Sequence, residues 1–284
     1  MMLVVITSLF SPTASANLMT HSSEMRLKLS ALEKASHGRL GIYLINASDS
    51  DYFSYQGSDR FPLCSTSKIM VTAKLLKDSQ SSLNLLDSTV KINKVDLVNY
   101  NPITGKNIGK TMSIAELSKA ALQYSDNTAM NLLLQKAGGI KAINAFARSL
   151  GDHDFLLSRN EPTLNTTLPG DTRDTTTPRA MAKTLHKLTL GDALESDKKA
   201  LLISWLEGNT TGEHSIKAGV PTDWRVGDKT GSGDYGTTND VAVIWTDKNK
   251  PLVLAIYFTQ YAKTAMPRKD VLAKAAKIVT SYLD

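Results

Sequence analysis

The chain has 284 residues, 42% hydrophobic and 21% charged, with 17 Gly and 9 Pro, a composition that excludes disordered, collagen-like and coiled-coil chains. A single cysteine, Cys64, excludes an internal disulfide and any Cys-based zinc site. Lys and Arg number 33 against 27 Asp and Glu, a formal charge of +6, but they alternate with acids and form no basic stripe, so nucleic-acid binding is not expected.

Residues 1–16 carry no charge. The apolar run Leu3 to Phe10 is followed by Pro12 and by Ala14-Ser15-Ala16, the small-x-small pattern of a secretory leader cut after Ala16, although the basic leading segment is missing. The run is far short of the ~20 residues that cross a bilayer, so no membrane association is expected once it is removed. Ser23 to Ala35 is predicted as a helix on the spacing of Met25, Leu29 and Leu32, with Gly38 as its C-terminal cap. Arg39 to Asn46 and Tyr52 to Gln56 follow as strands. From Pro62 to about Glu207 helices dominate. Ser113 and Glu116 form a capping box for a helix through Gln123, and Gly138-Gly139 ends the next. Thr177-Pro178 opens a helix closed by Gly191, and Ser196 opens another closed by Gly208. Strands return at Arg225 to Asp228, Asp240 to Thr246 and Leu252 to Thr259, and Pro267 starts a last helix through Leu283.

Strands at both chain ends around a helical middle predict an α+β fold. One antiparallel sheet, flanked by the N- and C-terminal helices, is built from residues 17–57 and 208–284, and residues 58–207 form an inserted all-α domain. Residues 157–177 are polar, contain proline and lack any period, which marks a functional loop.

Ser65-Thr66-Ser67-Lys68 places a lysine beside a serine hydroxyl, one helical face apart. A serine needs such a base nearby to act as a nucleophile. The spacing alone is unspecific, since Ser88-x-x-Lys91 and Ser196-x-x-Lys199 share it. Its company is specific: Ser125-Asp126-Asn127 interrupts a helical run, and Lys229-Thr230-Gly231 ends a predicted strand. These three motifs, in this order, are shared by class A β-lactamases and penicillin-binding proteins. Glu161-Pro162-Thr163-Leu164-Asn165 in the polar loop matches the E-x-x-L-N of the class A omega loop. The chain therefore resembles a class A serine β-lactamase over its whole mature length.

The resemblance implies a serine β-lactamase fold and hydrolysis of penicillins and cephalosporins through a serine acyl-enzyme. It implies Ser65 as nucleophile, with the N–H groups of Ser65 and Ser232 as oxyanion hole. Lys68 and Glu161 would share the proton work, and Ser125 would pass a proton to the leaving nitrogen. Glu161 and Asn165 would hold the hydrolytic water. Lys229, Thr230, Gly231 and Ser232 would bind the substrate carboxylate and edge, and Asn99 and Asn127 its side chain. Arg159 and Asp174 match the ion pair that closes the omega loop. Thr237-Thr238 stand where many penicillin-preferring members place an arginine, which leaves Arg268 or Lys269 as the alternative cation. Residues 229–240 (KTGSGDYGTTND), Cys64-Ser65-Thr66-Ser67-Lys68 and Asn99-Tyr100-Asn101-Pro102 are similar to the extended-spectrum, cefotaxime-hydrolysing branch. Gly233 is expected to leave the strand edge free for a bulky acylamido group.

No cofactor and no metal are expected, since His21, His37, His153, His186 and His214 show no ligand spacing. The expected partners are a small β-lactam and water, with the protein a periplasmic, secreted monomer. A penicillin-binding transpeptidase would use the same Ser65, Lys68, Ser125 and Lys229, but Glu161 argues against it. A β-lactam sensor would want an anchor or partner domain.

Overall fold

A computed structural model describes residues 17–49 and 51–283, so the leader-like segment 1–16 lies outside the described residues. A helical turn α1 (Asn17–Thr20) leads into α2 (Ser22–Ala35), which buries Met25 and Leu29. Its expected glycine cap does not form. His37 takes the left-handed conformation at φ 51°, and Gly38 instead begins β1 (Gly38–Asn46). A side chain at Gly38 would overlap the Phe258 ring, so this glycine serves strand packing. β2 (Asp51–Tyr55) returns antiparallel to β1.

After β3 (Phe61–Pro62), a 3-10 turn over Cys64–Ser67 runs into α3 (Lys68–Ser79). β4 (Thr89–Lys91) and β5 (Thr111–Ser113) form a small ribbon, and α4 (Ile114–Gln123) begins on the expected Ser113 and Glu116 capping box. α5 (Asn127–Lys136) and α6 (Gly139–Ser149) are joined by Gly138 at φ 91°, so the glycine pair ends one helix and starts the next. The polar loop contains a 3-10 turn over Thr163–Thr166 and ends in β6 (Thr175–Thr176), which pairs with β3. α7 (Pro178–Thr189) is capped by the Thr177 hydroxyl, and α8 (Ser196–Glu207) stops at Gly208 as expected. α9 (Ile216–Gly219) is a single turn.

β7 (Arg225–Gly233), β8 (Thr237–Trp245), β9 (Pro251–Gln260) and α10 (Lys269–Thr280) complete the chain. The five long strands form one antiparallel sheet in the order β2-β1-β9-β8-β7. β7 extends through Gly233, past the predicted end at Asp228, because pairing with β8 carries the weak strand formers Gly231 to Gly233. The last helix starts at Lys269, two residues after the proline expected to open it.

The sheet is covered on both faces, so every residue of β8 is buried. Alternation along β8 sends Ala242 and Ile244 towards α2 and α10, with Leu29, Val271 and Leu272. Val241 and Val243 face the other way, into a core shared with Leu185 of α7, Trp205 of α8 and Leu75 of α3. One face of the sheet and the helical middle thus share one core, and β7, at the sheet's edge, borders the seam between them.

Candidate active site

Ser65 sits in the turn between β3 and α3, after Cys64 at φ 46°, a conformation that side chains rarely adopt. Lys68 is the first residue of α3 and fully buried. Its Nζ donates to Ser65 Oγ at 2.7 Å, Glu161 Oε1 at 2.7 Å, Asn127 Oδ1 at 2.7 Å and the Ser125 carbonyl at 3.2 Å. A buried ammonium requires such partners, since isolated it would cost several kcal/mol. Lys68 stands beside the Ser65 hydroxyl, as their spacing suggests, and it joins Ser65 to Glu161 in one continuous chain of contacts.

Glu161 comes from the polar loop, with its side chain fully buried against Lys68. Its second oxygen, Oε2, accepts from Asn165 Nδ2 at 2.6 Å. Its backbone is clamped by Asn131 of α5. The Glu161 N–H donates to Asn131 Oδ1 at 3.0 Å, and Asn131 Nδ2 donates to the Glu161 carbonyl at 2.9 Å. The Glu161–Pro162 peptide is cis. Farther along, Arg159 Nε donates to Asp174 Oδ2 at 2.6 Å, and Asp174 Oδ1 accepts the Ser158 and Arg159 N–H groups. The expected ion pair therefore closes the loop, and the Arg159 Nη1 contact to Thr166 Oγ1 at 2.9 Å ties in the turn carrying Asn165.

Asn131 was not singled out in the sequence. Its one cue is its place four residues after Asn127, on the same face of α5. Within Ser125-Asp126-Asn127 the three residues do different things. Ser125, at φ 57°, turns its carbonyl to Lys68 and its hydroxyl to Lys229. Asp126 caps α5 through Ala129 N–H and receives Ile103 and Thr104 N–H, so it is structural. Asn127 accepts from Lys68 and donates to the Asn99 carbonyl at 3.1 Å, so its amide ties Lys68 to the exposed Asn99 loop.

The third motif lies inside β7. Lys229 is fully buried, and its Nζ donates to Ser125 Oγ at 3.1 Å and to the Thr230 carbonyl at 2.8 Å. Burial, with the nearby Lys68 charge, pulls its pKa down to about 7, against the attraction of Asp228 and Asp240. A side chain at Gly231 would stand 3.3 Å from the Ser65 nitrogen and 3.1 Å from the Leu63 carbonyl, so this glycine lets β7 lie against the Ser65 turn. Ser232 follows on the exposed side. Gly233 corrects its expected role: a side chain there would strike the Asn165 carbonyl and Thr167 of the loop, so it serves strand-to-loop packing.

Of the two alternative cations, Arg268 is held by Asp270 at 2.8 Å. Lys269 reaches the Thr211 carbonyl at 3.2 Å, and the Thr211 hydroxyl meets that of Thr230 at 2.5 Å. Cys64, beside Ser65, is a packed thiol whose pKa burial pushes far up. Among the described residues no group of three or more His, Cys, Asp or Glu could hold a metal ion.

A model of the β-lactamase enzyme family matches residues 24–283. The chain is 57% identical over 279 residues to β-lactamases CTX-M-97 and Toho-1 of Escherichia coli, covering 98% of this chain and 96% of each relative. It is 56% identical over 270 residues to β-lactamase OXY-2 of Klebsiella oxytoca, covering 95% of this chain and 93% of the relative. Among solved structures, a β-lactamase from Desulfarculus baarsii superposes with a TM-score of 0.91 at 45% identity, over 92% of this chain and 98% of that one. A β-lactamase from Burkholderia phymatum gives the same score at 44% identity, over 93% and 100%. With its serine–lysine–glutamate constellation and a sheet and helical core of the same architecture, the chain belongs to the β-lactamase enzyme family, as a class A serine enzyme.

Proposed function

We propose that the protein opens the β-lactam ring of penicillins and cephalosporins, oxyimino cephalosporins included, through an ester on Ser65. One observation carries this reading: Lys68 Nζ stands 2.7 Å from both Ser65 Oγ and Glu161 Oε1, linking a nucleophile to a carboxylate. In this reading the substrate lies between the sheet unit, residues 17–57 and 208–284, and the helical unit, residues 58–207. Ser65 Oγ attacks the ring carbonyl while its proton leaves to the Lys68–Glu161 pair. The Ser65 and Ser232 N–H groups receive the developing oxyanion. Ser125 relays to the leaving nitrogen the proton taken from Ser65 by way of Lys68, while Lys229 donates to its Oγ and stays charged. Lys229, Thr230 and Ser232 hold the substrate carboxylate by charge-assisted bonds. Gly231 lets β7, and with it Ser232, lie against the Ser65 turn, and Asn99 and Asn127 bind the acylamido group.

Glu161, with Asn165 beside it, then activates water against the ester, the step that separates a hydrolase from a transpeptidase. Cleavage of the leader would release a monomer into the bacterial periplasm; no helix of the described residues is long and apolar enough to cross a membrane. The test is Glu161→Ala mixed with cefotaxime and followed by intact-mass spectrometry. A persistent acyl adduct on Ser65 is expected. Normal turnover, or an adduct on Ser67, would refute the assignment.

A further inference from the structure

Asp228 and Asp240 take no part in the chemistry above, yet they are only 2% and 0% exposed. Asp228 precedes Lys229 on β7, and Asp240 on β8 is the register partner of Thr230. Since Asp228 is paired with Ala242, the two aspartates are diagonal neighbours on one face of the sheet, and their carboxyl groups meet. The segment between α8 and α9 covers them. Asn209 Nδ2 donates to Asp228 Oδ2 at 2.5 Å, and the Ile216 N–H donates to Asp240 Oδ2 at 3.0 Å. A side chain at Gly212 would overlap the Asp228 carboxyl, so the backbone passes directly over the pair. Asp240 Oδ1 has no donor among the described residues.

Two adjacent buried carboxylates do not both ionise, and a buried oxygen without a donor is costly. A single proton held between them removes both penalties. The charged groups whose fields reach the pair are Lys229 on β7 and Lys217 on α9, with Lys68 and Glu161 beyond Lys229. Tyr257 on β9 is buried, and its hydroxyl is kept neutral by that burial. Lys269 of α10 reaches the covering segment at the Thr211 carbonyl.

That segment leads to the substrate. Asn209 Oδ1 accepts the Thr211 N–H at 3.0 Å and lies 2.8 Å from the Thr211 hydroxyl, which in turn meets the Thr230 hydroxyl at 2.5 Å. With Thr211 donating to Asn209, Thr230 must donate to Thr211. When a carboxylate arrives, Thr211 can turn its proton to Thr230, freeing the Thr230 proton for the substrate.

We propose that Asp228 and Asp240 share one proton, and that the resulting singly charged pair is a positioning device: it holds Asn209, hence Thr211, hence the Thr230 hydroxyl that binds the substrate carboxylate. The second half rests on the carboxylate reading of Thr230; the first does not. Burial raises both acids, and the neighbouring Asp228 charge pushes Asp240 further, well above its ordinary value, while the bond from Asp240 pulls Asp228 the other way. A folded pKa above the unfolded one means that folding takes up a proton, so this contribution to stability is full at acid pH and is lost as pH rises towards the folded pKa.

The test compares the parent with Asp240→Asn, whose amide donates to Asp228 and accepts from Ile216 as a protonated aspartate does. From about pH 5 upward to the folded pKa, the parent's denaturant unfolding constant should rise about tenfold per pH unit relative to Asp240→Asn. Parallel curves would overturn the shared proton. In cefotaxime kinetics Asp240→Asn should stay within about twofold of the parent KM, whereas Asp240→Ala should raise KM about tenfold with kcat moving far less. An unchanged KM in Asp240→Ala would overturn the positioning role. Thr230→Val separates the two possible failures. An unchanged KM there refutes the carboxylate contact itself, and a raised KM there beside an unchanged Asp240→Ala refutes the role of the pair alone.

Discussion

Lys229 shows what burial does to a single residue in this site. An ammonium stripped of water and placed near Lys68 gives up its proton easily, and its pKa falls to about 7. In the proposed mechanism the free enzyme needs that charge to receive a carboxylate. As pH rises through about 7, kcat/KM for benzylpenicillin should therefore fall, because it reports groups of the free enzyme. The bound carboxylate holds the proton on, so the alkaline limb of kcat should lie at higher pH. Coincident alkaline limbs in the two profiles would count against this role. The stability sign is opposite to that of the aspartate pair. A lysine whose folded pKa is depressed binds fewer protons folded than unfolded between about pH 7 and pH 10, so its contribution to stability rises with pH across that window. The contact of Ser65 with Lys68 was legible in the sequence because three-residue spacing in a helical turn permits it and the accompanying motifs single this pair out. The burial of Asp228 and Asp240 was not, because an aspartate beside an apolar strand reads as a surface residue until both sheet faces are known to be covered.

The polar loop shows the same contrast among elements. Its extent, residues 157–177, and its Glu161-to-Asn165 motif were readable, and so was its closure by Arg159 and Asp174 once the family pattern was seen. Its clamp on α5 was not, because the contact of Asn131 with the Glu161 backbone exists only when the loop is folded against the helix. Asn131→Ala removes both bonds from a part-buried backbone, and each lost partner costs about 1–3 kcal/mol. The loop should loosen where it presents Glu161, while Ser65 and Lys68, carried on a different element, stay in place. Deacylation should then slow more than acylation. Stopped-flow mixing with a chromogenic cephalosporin should show a burst of about one equivalent followed by a slow steady state, where the parent shows none. Equal slowing of both phases would mean that Asn131 supports the whole cleft. Strand ends were the least legible features: β7 runs on through Gly231 to Gly233 because β8 and the Ser65 turn hold it, a tertiary cause that propensity does not contain.

At the scale of the molecule, the sheet-from-both-ends arrangement was legible because strand signals cluster at the two termini and helical caps fill the middle. The sharing of one core between the two parts was not, since it depends on which sheet face each apolar residue takes. Phe61 lies at that junction. Fully buried on β3, it packs 6.1 Å from the Tyr257 ring of β9, carries the Arg39 guanidinium 4.8 Å above its face, and fills the space left by Gly41. β3 also pairs with β6 at the end of the polar loop and leads directly into the Ser65 turn. Phe61→Ala should cost about 3–5 kcal/mol, as the ring's contacts are lost and a cavity remains. For a chain of this size each kcal/mol moves Tm by about 2–4 °C, so a fall of roughly 10 °C is expected. Because Phe61, Val241, Leu75 and Trp205 belong to one buried cluster, the variant should still melt in a single calorimetric transition. Below that transition its kcat should stay near the parent's, since no group in contact with Ser65 has been removed. Two resolved transitions would show instead that the sheet and the helices melt as independent units.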